Sequence, residues 1–292
     1  MDDATQMHAD WTLVIDGIDF GEGPRWHEGR LWFSDFYQQT ISSVEIHPDG
    51  TGTRHVELEH DGRPSGLGWL PDGRLLFVSM LDRKIMRQEA DGTVVEHADM
   101  SGLTDQLCND MVVSTAGVAY VGNFGFDLEA GAEPAPTGMI VVQPDGAATM
   151  DERPVMFPNG SVITPDGSTL IVGETFAGRY CAFEILPDGL LGEQRLWAEV
   201  PGTFPDGCTM DAQGGIWFAD AAGTQVVRVL EGGEVTDRLE TPQSAFACML
   251  GGDSGHTLYL LTSVGGTAAV GTGTGALWTT EVEVPRDPLS LP

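Results

Sequence analysis

Basic side chains are scarce in this sequence. Against 44 aspartates and glutamates stand 14 lysines and arginines, a formal net charge of −30, so a phosphate backbone is repelled and nucleic acid is excluded as a partner. Lys84 is the only lysine, and its polar surroundings make it a poor Schiff-base candidate. No stretch approaches the roughly 18 uninterrupted apolar residues of a membrane helix, and Met1 to Asp10 lacks the basic-then-apolar order of a secretory signal. The expectation is a cytoplasmic protein with no membrane partner. Cys108, Cys181, Cys208 and Cys248 show neither CxxC spacing nor a small-scaffold disulfide pattern, which suits reduced thiols. A Gly-x-Ser-x-Gly elbow is missing, and the seven histidines form no HxxxH or HExxH pair. Long helical periodicity is also hard to find.

What the chain does have is short apolar runs punctuated by 39 glycines and 17 prolines. One strand recurs six times: Leu31–Asp35, Leu75–Ser79, Val118–Gly122, Leu170–Glu174, Ile216–Asp220 and Leu258–Thr262, at a period of about 45 residues. A shorter strand and tight turn precede each copy, and a second hairpin follows, turning at His47 to Gly50, Ala90 to Gly92, Pro144 to Gly146, Pro187 to Gly189 and Glu231 to Gly233. Four strands per repeat and six repeats predict an all-β, six-bladed propeller of four antiparallel strands per blade, spanning 1–292 as a single domain. The last repeat lacks an outer strand, so Trp11–Ile15 is expected to complete that blade and fasten the ring. Asn123 to Gly138 is an insertion that reads either as a lid or rim loop or as a plain surface excursion.

In a propeller the innermost strands run along a central channel, so one position per repeat forms a ring at its mouth. About ten residues before each recurring strand lie Glu22, Ser65, Asn109, Asn159, Asp206 and Ala247. Glu22, Asn109, Asn159 and Asp206 are oxygen donors of the kind that hold a divalent cation, calcium first, with magnesium, manganese or zinc as alternatives. Taken singly, Asn159 in Pro158-Asn-Gly160 and Asp206 in Pro205-Asp-Gly207 read as turn residues, and Glu22 as a loop acid. The shared register favours a common site.

Gly21 to Trp26, Asn109-Asp110, Pro158 to Gly160 followed by Pro165-Asp-Gly, Pro205 to Asp220, and Cys248 to Asp253 together resemble the gluconolactonase, regucalcin and senescence-marker-protein family over nearly the whole chain. The resemblance implies a six-bladed propeller with a divalent metal in its channel, and lactone hydrolysis as the commonest activity. It implies Glu22, Asn159 and Asp206 as metal ligands, with Asp206 also the general base. Asn109 matches an Asn that contacts substrate in some members and metal in others, including the diisopropyl fluorophosphatase type. Where the sugar-lactone enzymes carry an Arg two residues before that Asn, this chain has Leu107-Cys108-Asn109, and a polyol ring would lose charged hydrogen bonds there.

The expected function is therefore a divalent-metal-dependent hydrolase, a lactonase or esterase acting on a small, relatively apolar lactone, with the metal polarising the carbonyl and Asp206 as base. Asp110 reads either as a supporting catalytic acid or as a strand-end surface carboxylate. Tyr37, Met111, Phe124 and Phe126 wall an apolar pocket or serve ordinary packing, and Ser65, Leu107 and Cys108 are placed beside it. The thiols read as packing residues rather than nucleophiles. Alternatives are epoxide, phosphotriester or vinyl-ether hydrolysis at the same metal, or a non-catalytic calcium-binding sensor. The expected partner is a small molecule, and the assembly a monomer or small homo-oligomer.

Overall fold

A computed structural model describes residues 7–290. Its strands form six sheets arranged as six blades around a channel, with two short 3-10 turns and no α-helix among the described residues. Blade one is Gly21–His27, Arg30–Asp35, Thr40–Ile46 and Gly52–Glu59 from channel to rim. Blades two to five repeat this order, with inner strands Pro64–Trp69, Cys108–Val113, Pro158–Ile163 and Pro205–Met210. Blade six runs Ala245–Gly251, Thr257–Thr262 and Gly275–Glu281, and its outermost strand is Thr12–Ile18 from the other end of the chain. The ring thus closes with the early strand as expected, and inner strands pack sequentially until the sixth returns to the first. One addition lies outside the four-strand plan: Met7–His8 pairs in parallel with Val235–Glu240 at the edge of blade five.

The recurring strand is the second of each blade, buried on both faces, which explains its near-continuous apolar run. Leu76, Val78, Val121 and Ile140 fill the space between blades two and three, and Tyr120, Val141, Leu170 and Phe183 that between three and four. Each such side chain contributes about 1.5–3 kcal/mol of burial, but only once a neighbouring blade covers it. The hairpin turns behave as their Asp-Gly sequences require: Gly146 has φ 89 and presses so close to His97 that a Cβ would meet that residue's carbonyl oxygen at 2.2 Å.

The last residue of the second strand ties down the segment entering the inner strand. Asp35 accepts from the Asp19 and Phe20 N–H groups, Glu174 from Met156 N–H and Asp220 from Phe204 N–H. These bonds anchor the approach to Glu22, Asn159 and Asp206.

Candidate functional site

Every inner strand carries one extra residue relative to its partner at the expected ring position. Pro158 faces Glu174 and Ser161 faces Val172, three steps against two, with Asn159 inside the bulge. The same irregularity encloses Ser65, Asn109 and Asp206; in blade one it begins directly after Glu22, which pairs with Ser34, and in blade six it encloses Phe246, one residue before Ala247. A bulge bends its strand and re-aims a side chain out of the alternating pattern. Asn159 and Asp206 therefore sit in strands rather than in turns, and the glycines after them serve close approach. A Cβ on Gly160 would lie 2.2 Å from Asp206 O, and one on Gly207 would lie 2.5 Å from Ala247 Cβ.

The ring residues meet at the channel mouth. Ser65 Oγ donates to Asn109 Oδ1 at 3.2 Å, Asn109 Nδ2 to Asn159 Oδ1 at 3.1 Å, and Asn159 Nδ2 to Thr175 Oγ1 at 3.4 Å. Thr175 Oγ1 in turn donates to Pro205 O at 2.7 Å. Glu22 and Asp206 are both 5% exposed. Asp206 Oδ1 is buried without a hydrogen-bond partner. Burial pushes the Asp206 carboxyl well above its ordinary range, and repulsion from Asp110 adds to this. The Glu22 carboxyl is likewise held well up by burial, then by repulsion from Asp206 and Asp110. Two desolvated acids side by side call for a proton or a cation.

No cluster of three or more His, Cys, Asp and Glu side chains suited to a metal occurs among the described residues. The ring instead offers two carboxylates and two amides. Such an all-oxygen set suits a hard cation, and the orphaned Asp206 oxygen fits one, so the donor chemistry is compatible with a divalent ion held by Glu22, Asn109, Asn159 and Asp206.

Above the ring lies a cavity of about 580 Å³, lined by Glu22, Asn109, Asn159 and Asp206 at its polar end and otherwise largely by aromatic and aliphatic side chains. Of the residues expected to wall it, Tyr37, Leu107 and Phe124 do. Ser65 is buried beneath, bonded to Asn109. Cys108, Met111 and Phe126 do not line it but pack in the core behind, and Phe126 touches the lining through the Phe157 and Phe176 rings. Asp110 does not line it either: Arg25 donates to it at 3.1 Å, both side chains are 6% exposed, and its Oδ1 also accepts Met111 N–H. Arg25 further donates to the Pro24 and Met111 carbonyls. All four cysteines are free and buried; burial pushes the Cys108 and Cys208 thiols up to about 12.

Sequence reasoning missed Phe20, Arg63, Phe157 and Phe204, which all line the cavity. Each stands two residues before a ring position, as Leu107 does, and the rule of two residues back would have found them. Arg63 and Phe157 hold left-handed backbone at φ 55 and 56 just before a proline. The insertion supplies Phe124, Leu128 and Glu129 to the wall, and Glu129 accepts from Arg63 at 2.6 Å.

Residues 20–264 match the protein family described as "SMP-30/Gluconolactonase/LRE-like region". A pentonolactonase of Haloferax volcanii is 29% identical over 291 residues, covering 93% of this chain and 94% of that protein. A diisopropyl-fluorophosphatase of Loligo vulgaris is 26% identical, covering 80% and 82%. Among solved structures, a calcium-binding protein, regucalcin, from Agrobacterium tumefaciens superposes with TM-score 0.79 at 21% identity, covering 97% of each chain.

Proposed function

Since the chain belongs to the SMP-30/gluconolactonase/LRE-like family, we propose that it is a divalent-metal-dependent hydrolase that opens a small, relatively apolar lactone or a related ester. The observation that carries this reading is the pair of buried carboxylates, Glu22 and Asp206, with one Asp206 oxygen unpartnered, at the polar end of an apolar cavity. The pentonolactonase likeness supports a lactone as the electrophile. The Phe-rich wall, with Leu107 and no cation except a Glu129-paired Arg63, supports an apolar ring over a sugar.

Glu22, Asn109, Asn159 and Asp206 are the residues proposed to hold the ion, with calcium the first choice for an all-oxygen set. A bound divalent cation supplies Lewis-acid polarisation of the carbonyl and offsets charge on the developing oxyanion. Asp206 takes the proton of the attacking water on the carboxylate oxygen that is not turned to the ion. The water oxygen bonds to the carbonyl carbon to give a tetrahedral oxyanion; as this collapses the ring C–O bond breaks and the departing alkoxide receives the proton held by Asp206, leaving a hydroxy acid. The Arg25 ion pair fixes Asp110 behind the ring, where its charge adds to the raising of both ring carboxylates, so that a cation binds there in exchange for the protons they retain. The Phe-rich wall makes the remainder of the cavity apolar.

Because a carboxylate base does not choose its electrophile, and because the chain is similar to a diisopropyl-fluorophosphatase, phosphotriester hydrolysis at the same centre is the second reading. The test is a panel of aliphatic, aromatic and sugar lactones with a phosphotriester, assayed with chelator and after divalent-ion add-back. Hydrolysis of apolar lactones that disappears with chelator and returns with one ion is expected. Turnover of the phosphotriester alone selects the second reading. Chelation that lowers only the melting temperature, with nothing hydrolysed, overturns both in favour of a sensor.

A further inference from the structure

The rim of the cavity is uneven, and its unevenness follows the blades. The loops that join second to third strands all contribute to the lining. Those of blades three and six, residues 124–136 and 263–274, are long and stand across the ring from each other. The remaining four are short, and three of these carry bulk into the cavity: Phe36 and Tyr37 in blade one, Met80 in blade two, Phe176 in blade four. Blade five carries only Ala221 and Ala222, followed by Gly223. Beside that gap, Ala221 N–H donates to Phe204 O, and the Phe204 ring meets Phe176 edge-on at 6.2 Å. Phe176 and Phe204 remain 38% and 37% exposed although they belong to a cavity wall. Two half-exposed rings in contact with each other, beside a two-alanine sill, leave the rim low and apolar on this side.

We infer that this sill is the exit groove for a linear apolar substituent of the substrate: the reacting carbonyl lies over the Glu22–Asp206 ring, and an alkyl or similarly slender chain leaves across Ala221 and Ala222 against the faces of Phe176 and Phe204. The inference rests on the hydrolase reading for the placement of the carbonyl, and the groove itself rests on the rim. A chain leaving elsewhere meets the long loops of blades three and six or the Phe36, Tyr37 and Met80 side chains. The groove has no charged lining residue, so it selects by length and width. Each methylene buried against the two rings is expected to tighten binding about threefold to fourfold until the chain passes the rim.

The experiment uses 2-alkylcyclopentanones of growing chain length, carbonyl rings that cannot be hydrolysed, titrated calorimetrically into the calcium-supplemented protein, with the matching γ-alkyl lactones assayed for hydrolysis in parallel. In the wild-type protein affinity should climb with each methylene and then level off. Ala222→Trp, at an exposed position, should remove most of that increment while the thermal melt stays cooperative, and Phe204→Ala should reduce it. Affinity independent of chain length in the wild type, or an increment undiminished in Ala222→Trp, overturns the groove. Chain-dependent binding with no turnover of any lactone would instead sink the lactonase reading and leave the groove standing, so the two failures are distinguishable.

Discussion

Asp206 is under opposing demands in the proposed reaction: a base works best desolvated, and desolvation makes its charge costly. Its folded-state carboxyl sits well above the ordinary range through burial and then Asp110 repulsion, as does that of Glu22 through burial and then Asp206. A raised folded-state carboxyl means that the native protein retains protons that the unfolded chain releases. In chelator-treated protein this contribution to stability is lost as pH climbs from the ordinary carboxylate range, about 4, through the raised one. Asp206→Asn should therefore melt higher than wild type at neutral pH without cation, yet lose about 10²–10⁴-fold in turnover. Full activity in that variant would show that the base lies elsewhere. The cysteines make a second residue-scale case. With Cys108 and Cys208 pushed up to about 12 by burial and all four thiols buried, the native protein should resist iodoacetamide at neutral pH and react only once unfolded; rapid native labelling with unimpaired turnover would contradict the packing role.

At the scale of elements, the closing strand Thr12–Ile18 does more than cap an edge. It covers Gly275–Glu281 and buries Val14 and Ile18 at 5% and 0% exposure against blades six and one. Deleting residues 1–18 uncovers that edge and forfeits burial worth about 1.5–3 kcal/mol per side chain, so circular dichroism should record a broad, lowered melt; an unchanged cooperative melt would place ring closure elsewhere. This strand was legible in advance because Trp11–Ile15 is the one apolar run without a blade of its own. The recurring second strand was legible too, since burial on both faces leaves an unbroken apolar signature. The bulges were not. Pro-Asn-Gly and Pro-Asp-Gly look like turns by composition, and only the pairing of Pro158 with Glu174 and of Pro205 with Asp220 shows them to be strands whose glycines admit a neighbouring backbone. Nor did local sequence reveal the Arg25–Asp110 pair, whose members come from different blades. The pocket wall was half read: Tyr37, Leu107 and Phe124 were found, whereas Phe157 and Phe204 were passed over because their place gives a repeat signal only when the register is read two residues before the ring as well as at it. The edge strand Met7–His8 is too short to carry one.

For the whole molecule, the charge of −30 spread over a closed ring is a standing self-repulsion. It keeps the protein soluble and opposes compaction. Screening falls within a Debye length of about 10 Å at 0.1 M salt, so the melting temperature should rise by several degrees as sodium chloride goes from low to molar concentration; a flat or falling profile would mean that the arginine ion pairs, such as Arg74 with Asp72 and Glu89, already balance the acids locally. The same surplus draws divalent cations toward the molecule, and the buried ring is where one is proposed to stay. The six-fold repeat and the asymmetry of its ring residues are thus parts of one proposal: a bulge in each inner strand brings one position per blade to the channel mouth, and the identities Glu, Asn, Asn and Asp are proposed to make that repetition a cation centre. Titrating calcium calorimetrically into chelator-treated wild type, Glu22→Gln and Asp206→Asn tests this directly. Saturation at a single cation per chain, weakened at least about tenfold in both variants, is predicted; no saturable binding in the wild type, or equal affinity in all three proteins, would contradict it.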